Sequence, residues 1–165
     1  MSGFDEGRPS RLVVAAAVLD RLERPTALLC AARSYPPEHA GQFELPGGKV
    51  EPAERPTEAL VRELDEEIGL SARLGAELVP PGDLAVPAPP RGGAGDDAPA
   101  WPVMHGFRMR VWLAEPTRVG DRGRAGAAHE RLEWVSLDPP NQVCQLPWLP
   151  ADLPIIEALV TVLGR

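Results

Sequence analysis

The chain has 165 residues, 44% of them hydrophobic and 25% charged, which suits one domain with a proper core. Its net charge of -7, with no basic stripe anywhere, argues against a protein that coats nucleic acid. A small anionic substrate stays open, provided a divalent cation bridges the like charges.

The opening decapeptide, MSGFDEGRPS, is mixed in charge and has no secretory n-region. Residues 12–19 (LVVAAAVL) are too short an apolar run to span a bilayer and read as a strand. Residues 21–26 make a turn, after which residues 27–31 are expected to pair with that first strand. Residues 33–41 hold Pro36 and Pro37 and form a loop. Residues 43–45 make a short strand that leads into a turn at Pro46-Gly47-Gly48, and residues 51–56 continue as loop. Cys30 and Cys144 show neither metal-ligand spacing nor a disulfide framework, which points to reduced thiols in a cytoplasmic protein.

From Thr57 the pattern is helical. Leu60, Leu64 and Ile68 recur at i, i+4 and i+8 and mark a buried face, with Val61 beside it. Pro56 suits the first helical position and Gly69 the residue just past the end, while Arg55 is a poor N-cap. Residues 72–79 read as a strand. Residues 80–102 hold seven prolines and four glycines, which predicts a mobile surface insertion rather than a regular element. Residues 107–114 and 132–136 are expected as strands, with a polar, Gly-rich connection over 117–130. Residues 152–163 form the last helix, with Ile155, Ile156, Leu159 and Leu163 facing inward. The sum is a mixed α+β domain with two flanking helices.

Glu63, Glu66 and Glu67 lie at i, i+3 and i+4 and so share a helix face. Like charges ~6 Å apart repel by roughly 3 kcal/mol at an effective dielectric near ~20. Only Glu58 and Arg62 form a conventional opposite-charge pair on this helix. One reading is a solvated acidic face; the other is a site for Mg²⁺, which takes carboxylates together with phosphate oxygens.

The preceding loop decides between them. Gly48, Glu54, Arg62, Glu63, Leu64, Glu66, Glu67, Gly69 and Leu70 fill every fixed place of G-x5-E-x7-R-E-U-x-E-E-x-G-U, with U aliphatic. Chance would produce this on the order of 10⁻⁹ per start position at average residue frequencies. It resembles the Nudix box. That resemblance implies the Nudix fold, an α/β/α sandwich around a mixed sheet, with residues 1–165 as one domain carrying the insertion at about 80–102. It also implies that the Gly47 carbonyl and the Glu63, Glu66 and Glu67 side chains hold Mg²⁺, or Mn²⁺ in its place. Arg62 would orient Glu63, Glu54 would brace the loop, and Gly69 would close the helix. The family hydrolyses nucleoside diphosphates linked to another moiety. Independently, a glycine loop lets backbone approach phosphates, so Gly48 is a substrate-binding candidate, and Lys49, the only lysine, could add a point charge there.

Outside the box, the segment FELPGGKVEP is similar to that of the MutT-type members, which clean the nucleotide pool of lesions such as 8-oxo-dGTP in the service of DNA repair. By that likeness Arg33 contacts substrate. Glu133, just before Trp134, reaches the metal or the water, which leaves the general base open between Glu63 and Glu133. Asp152 stands where the subgroup reads the base with an asparagine. As aspartate it accepts only, which suits the N7–H of oxidised guanine or the exocyclic amine of cytosine; as a favoured N-cap it equally suits a structural role.

Trp148, between prolines, reads as packing. Phe43 and Leu45 fit pocket or core equally. His39, His105 and His129 share no spacing and read as structural or exposed, and Arg118, Arg122, Arg124 and Arg131 as solvated. The expected activity is Mg²⁺-dependent hydrolysis of a nucleoside triphosphate to monophosphate and pyrophosphate. The alternatives are a cytidine nucleotide, an ADP-ribose-like diphosphate or dinucleoside polyphosphate, or a non-catalytic nucleotide-sensing domain. The expected partner is a small nucleotide, with no nucleic-acid polymer and no membrane, bound by a monomer or homodimer.

Overall fold

Leu12–Val18 (β1) is apolar and largely buried on both faces, the position of a central strand. In the computed structural model, which describes residues 11–90 and 92–164, it lies between two partners. Gly47–Lys49 (β4) pairs with it antiparallel, and Arg108–Pro116 (β7) pairs with it parallel. Ala72–Leu78 (β5) and Trp101–Pro102 (β6) pair antiparallel with β7 and complete this mixed sheet. A second, antiparallel sheet has Ala27–Arg33 (β2) between Phe43–Glu44 (β3) and His129–Ser136 (β8). The reading of the N-terminal decapeptide lies outside the described residues.

Two pairings differ from expectation. β2 does not pair with β1 itself but meets the chain just beyond it, at the Leu19–Leu28 bridge, because both edges of β1 are taken by β4 and β7. The expected Gly47-Gly48 turn is instead strand β4. Gly47 lies so close to β1 that a Cβ there would overlap the Val14 carbonyl.

Pro56–Ile68 (α1) begins with proline at its first position and no side-chain cap from Arg55. It ends at Gly69, whose left-handed φ of 62° lets its N–H reach back to the Asp65 and Leu64 carbonyls. Leu60, Leu64 and Ile68 are fully buried against Val14, Ala16 and Val18 of β1, each burial contributing about 1.5–3 kcal/mol. The alternate β1 residues Ala15 and Ala17, with Leu19 just beyond the strand, face a second core with Ile155, Ile156 and Leu159 of Leu153–Val162 (α3). Pro140–Cys144 (α2), a five-residue helix not expected from the sequence, packs there through Val143. The architecture is therefore α+β, with sheet strands between α1 on one side and α2 and α3 on the other. No helix among the described residues is long and apolar enough to cross a membrane.

Within 80–102 the structure shows packing where the composition predicts mobility. Val86 bridges Ala100, Trp101 is buried, and the Trp101 indole N–H donates to the Leu78 carbonyl at 2.9 Å. Asp96 accepts from Arg108 at 3.1 and 2.9 Å, with side chains 6% and 3% exposed. Only its end, β6, joins the ladder, and a buried ion pair ties the proline-rich part before it to β7. Removing one partner of a buried pair costs about 3–5 kcal/mol. Asp96→Ala should therefore lose stability of that order in urea unfolding, and adding Arg108→Met should recover much of it. A loss below about 1 kcal/mol would mean that the pair does not pin the segment.

Candidate active site

Arg62, on α1, gathers the acidic residues around it. Its Nε donates to Glu54 Oε2 at 2.7 Å, and Nη2 donates to Glu54 Oε1 at 2.9 Å and to the Lys49 carbonyl at 3.2 Å. Its Nη1 donates to Glu63 Oε1 and Glu66 Oε2, each at 3.1 Å. The bond to Arg62 holds the Glu54 carboxyl below its usual range. Glu54 also accepts from the Glu51 N–H at 3.1 Å, closing the loop before the helix. The expected Glu58–Arg62 pair is not among the ion pairs of the described residues; Arg62 turns toward the box carboxylates instead.

The glycines bring backbone up to these carboxylates. A Cβ on Gly48 would overlap the Glu63 carboxylate, so only glycine admits that approach. The Gly47 N–H donates to Glu67 Oε2 at 3.2 Å. Burial raises Glu67 to about 7; His129 and the Gly47 N–H oppose this, and the charges of Glu44 and Glu63 add to it.

Two residues here escaped the sequence reading. Glu44 accepts from Arg33 Nη1 through Oε2 at 2.9 Å, and its Oε1 lies 2.9 Å from His129 Nε2. The same His129 nitrogen lies 3.9 Å from Glu67 Oε1. The signals were faint. Glu44 is the one acidic residue between Phe43 and the glycines, and His129 appears only when the last strand is extended back to 129.

Beside this cluster lies a cleft of about 260 Å³, with Val13, Leu45, Met109 and Leu149 as apolar walls and Glu44 and Asp152 as carboxylates. Lys49 also lines it, its Nζ 5.8 Å from the Phe107 ring centroid. Asp152 immediately precedes α3 yet makes no side-chain capping bond. Its Oδ2 accepts from the Leu45 N–H at 2.9 Å, and the residue is only 5% exposed.

Glu133 is not brought to the helix carboxylates. It stands opposite Cys30, on the sheet face of Val135, whereas Leu132 and Trp134 pack toward α1. Arg131 Nε donates to it at 2.7 Å. Trp148 is buried against Phe43, ring centroids 6.0 Å apart, and donates to the Val143 carbonyl, so both aromatics belong to the core.

The donors fit the hard divalent cation that the box implies. Glu63 and Glu67 are about four-fifths buried side chains on one helix face, and burial has raised Glu67. An all-oxygen set of this kind suits Mg²⁺. Glu44, Glu67 and His129 form a second grouping, with ligand atoms within 4.8 Å of one another, that could hold a metal ion.

Comparison with known proteins gives a consistent picture. The NUDIX domain model matches residues 9–155. The CTP pyrophosphohydrolase of Escherichia coli is 34% identical over 151 residues, covering 90% of this chain and 91% of that one. A Mycobacterium tuberculosis protein named "Putative 8-oxo-dGTP diphosphatase 2" is 35% identical over 157 residues, covering 94% and 92%. The solution structure of the E. coli ORF135 protein superposes with a TM-score of 0.64 at 29% identity, covering 93% of this chain and 91% of that one.

Asp152 supplies a pH test. Burial raises it from 3.8 to about 7; the Leu45 N–H and Arg33 oppose this, and Glu44 adds to it. The folded state keeps a proton that the unfolded chain has already lost, so stability falls as pH rises between those two values. Asp152→Asn keeps an acceptor for the Leu45 N–H and should flatten that part of a Tm profile over about pH 4–8. An unchanged slope would place the carboxylate in an environment as wet as the unfolded chain.

Proposed function

The chain belongs to the Nudix family, and from that premise we propose that it is a Mg²⁺-dependent nucleoside triphosphate pyrophosphohydrolase of the pool-cleaning, 8-oxo-dGTP type. The observation that carries the reading is the placement of an apolar cleft with a buried Asp152 directly beside the Arg62-organised carboxylates. A base fits the cleft while its phosphates reach Gly47, Gly48 and Lys49.

In this proposal Glu63, Glu66, Glu67 and the Gly47 carbonyl hold the metal, and Arg62 fixes the first two of these side chains. When bound, the metal supplies charge neutralisation at the phosphates and acidifies water. The chain's own residues do the rest. Water adds to one phosphorus of the pyrophosphate link and the bridging P–O bond breaks, its electron pair leaving with the product on the other side of that bond. Glu63 takes the proton of the water. That choice over Glu133 is supported by Glu63 lying in the cluster while Glu133 is bonded to Arg131 on the other sheet face. Arg33 orients Glu44 at the rim of the cleft.

The base is read by acceptors. Glu44, and Asp152 once it ionises above about pH 7, favour a base that presents N–H donors, which 8-oxoguanine does at N7 and cytosine at its exocyclic amine. The second reading, a cytidine nucleotide, is supported by the second carboxylate in the cleft and by the likeness to the E. coli CTP pyrophosphohydrolase.

The test is pyrophosphate release with Mg²⁺ from 8-oxo-dGTP, dGTP, dCTP, 5-methyl-dCTP, dATP and ADP-ribose. The expected result is pyrophosphate from 8-oxo-dGTP well above dGTP, abolished by EDTA and lowered at least about a hundredfold in a folded Glu67→Gln variant. Preference for dCTP would keep the chemistry and change the base. Cleavage of ADP-ribose alone, or of nothing, would replace the triphosphatase with a diphosphate hydrolase or a nucleotide sensor.

A further inference from the structure

A line of polar side chains runs from the base cleft to the metal side of the site. Arg33 Nη1 holds Glu44 Oε2, and Glu44 Oε1 meets His129 Nε2. Beyond them Glu67 Oε1 lies 3.9 Å from that same nitrogen, and Glu67 Oε2 accepts from the Gly47 N–H. Glu44 lines the cleft and Glu67 belongs to the α1 cluster, and His129 faces both.

His129 has a side chain 0% exposed, and its Nδ1 has no hydrogen-bond partner. The partners assign the ring proton. With the proton on Nδ1, a buried N–H would go unmet while Nε2 turned a lone pair toward two carboxylates. With the proton on Nε2, the N–H donates to Glu44 and only a lone pair is left bare, the smaller cost. Ligation of a metal through Nε2 is disfavoured for the same reason, since it would move the proton to Nδ1, where no acceptor stands.

We infer that His129 is a positioning residue that links the base-reading carboxylate Glu44 to the metal-side carboxylate Glu67. Its Nε2–H fixes Glu44 while the cleft is empty of donors. The same N–H lies 3.9 Å from Glu67 Oε1, so it acts on the metal-side carboxylate even with the cleft empty, and a base that offers N–H to Glu44 shifts it further toward Glu67. Base recognition and metal-side geometry are thereby joined through one ring. This inference rests on the metal and base assignments proposed above.

The test compares His129→Phe, which has no donor, with His129→Gln, whose amide can still donate to Glu44. Two quantities are measured: Mn²⁺ affinity without nucleotide, by water-proton relaxation, and the ratio of kcat/KM between the best and worst triphosphates. His129→Phe should weaken Mn²⁺ binding about tenfold and compress the ratio by a similar factor. His129→Gln should keep both within about threefold of wild type. Should the Phe variant not fold, His129→Met, a flexible side chain that fills irregular gaps, takes its place. A folded donor-free variant with wild-type Mn²⁺ affinity overturns the inference, and so does a Gln variant as impaired as Phe or Met. The Mn²⁺ titration uses no nucleotide, so its failure leaves the substrate reading standing. Wild-type protein that cleaves no triphosphate would sink that reading without altering the Mn²⁺ result.

Discussion

Three carboxylates of the box meet one planar cation, and the site depends on that meeting. Arg62 donates to Glu54, Glu63 and Glu66 and to the Lys49 carbonyl at the same time, which uses the fixed fork of a guanidinium in a way that an ammonium could not. Without it, Glu63, Glu66 and Glu67 would repel along one helix face by a few kcal/mol per pair, on the order of 3 at an effective dielectric near 20. Arg62 also ties the glycine loop to the helix through Glu54 and Lys49, so the backbone proposed to meet phosphate and the carboxylates proposed to hold metal are set by one group.

The fold serves that arrangement through close approach. Gly47 reaches β1 without a Cβ, and Gly48 leaves room for the Glu63 carboxylate. The small residues of β1, Ala15, Ala16 and Ala17, lie fully inside the sandwich between α1 and α3. The strand therefore carries little bulk on either face, and its job is to hold β4 and β7 in register. Beside the start of α1, residues 92–97 are held by Asp96 to Arg108 and by Gly95 to Arg110, so the composition of that segment understates its order.

What could be read from the sequence was what is local. The box spacing, the α1 periodicity and the Gly69 stop all lie within one helix and its loop, where 3.6-residue geometry fixes who is neighbour to whom. The pairing of strands was not readable, because nothing in residues 12–19 or 27–31 says that β7 rather than β2 will lie beside β1. The proposed base side was hidden for the same reason. Glu44 meets His129 across 85 positions and Leu45 meets Asp152 across 107, and such contacts exist only after both sheets have formed. Asp152 looked like a helix cap because helix starts favour aspartate; its carboxylate points into the fold because the Leu45 N–H is there to receive it.

The proposed metal side and base side thus share their walls: Glu67 and Glu44 flank His129, and Lys49 belongs both to the loop Arg62 holds and to the cleft. The most direct test of this account is the Mn²⁺ affinity of a folded Arg62→Lys variant, which keeps the charge and loses the fork. The account predicts affinity at least about tenfold weaker than wild type with the melting temperature little changed. Wild-type affinity in that variant would show that the carboxylates arrange themselves without the guanidinium and would contradict it.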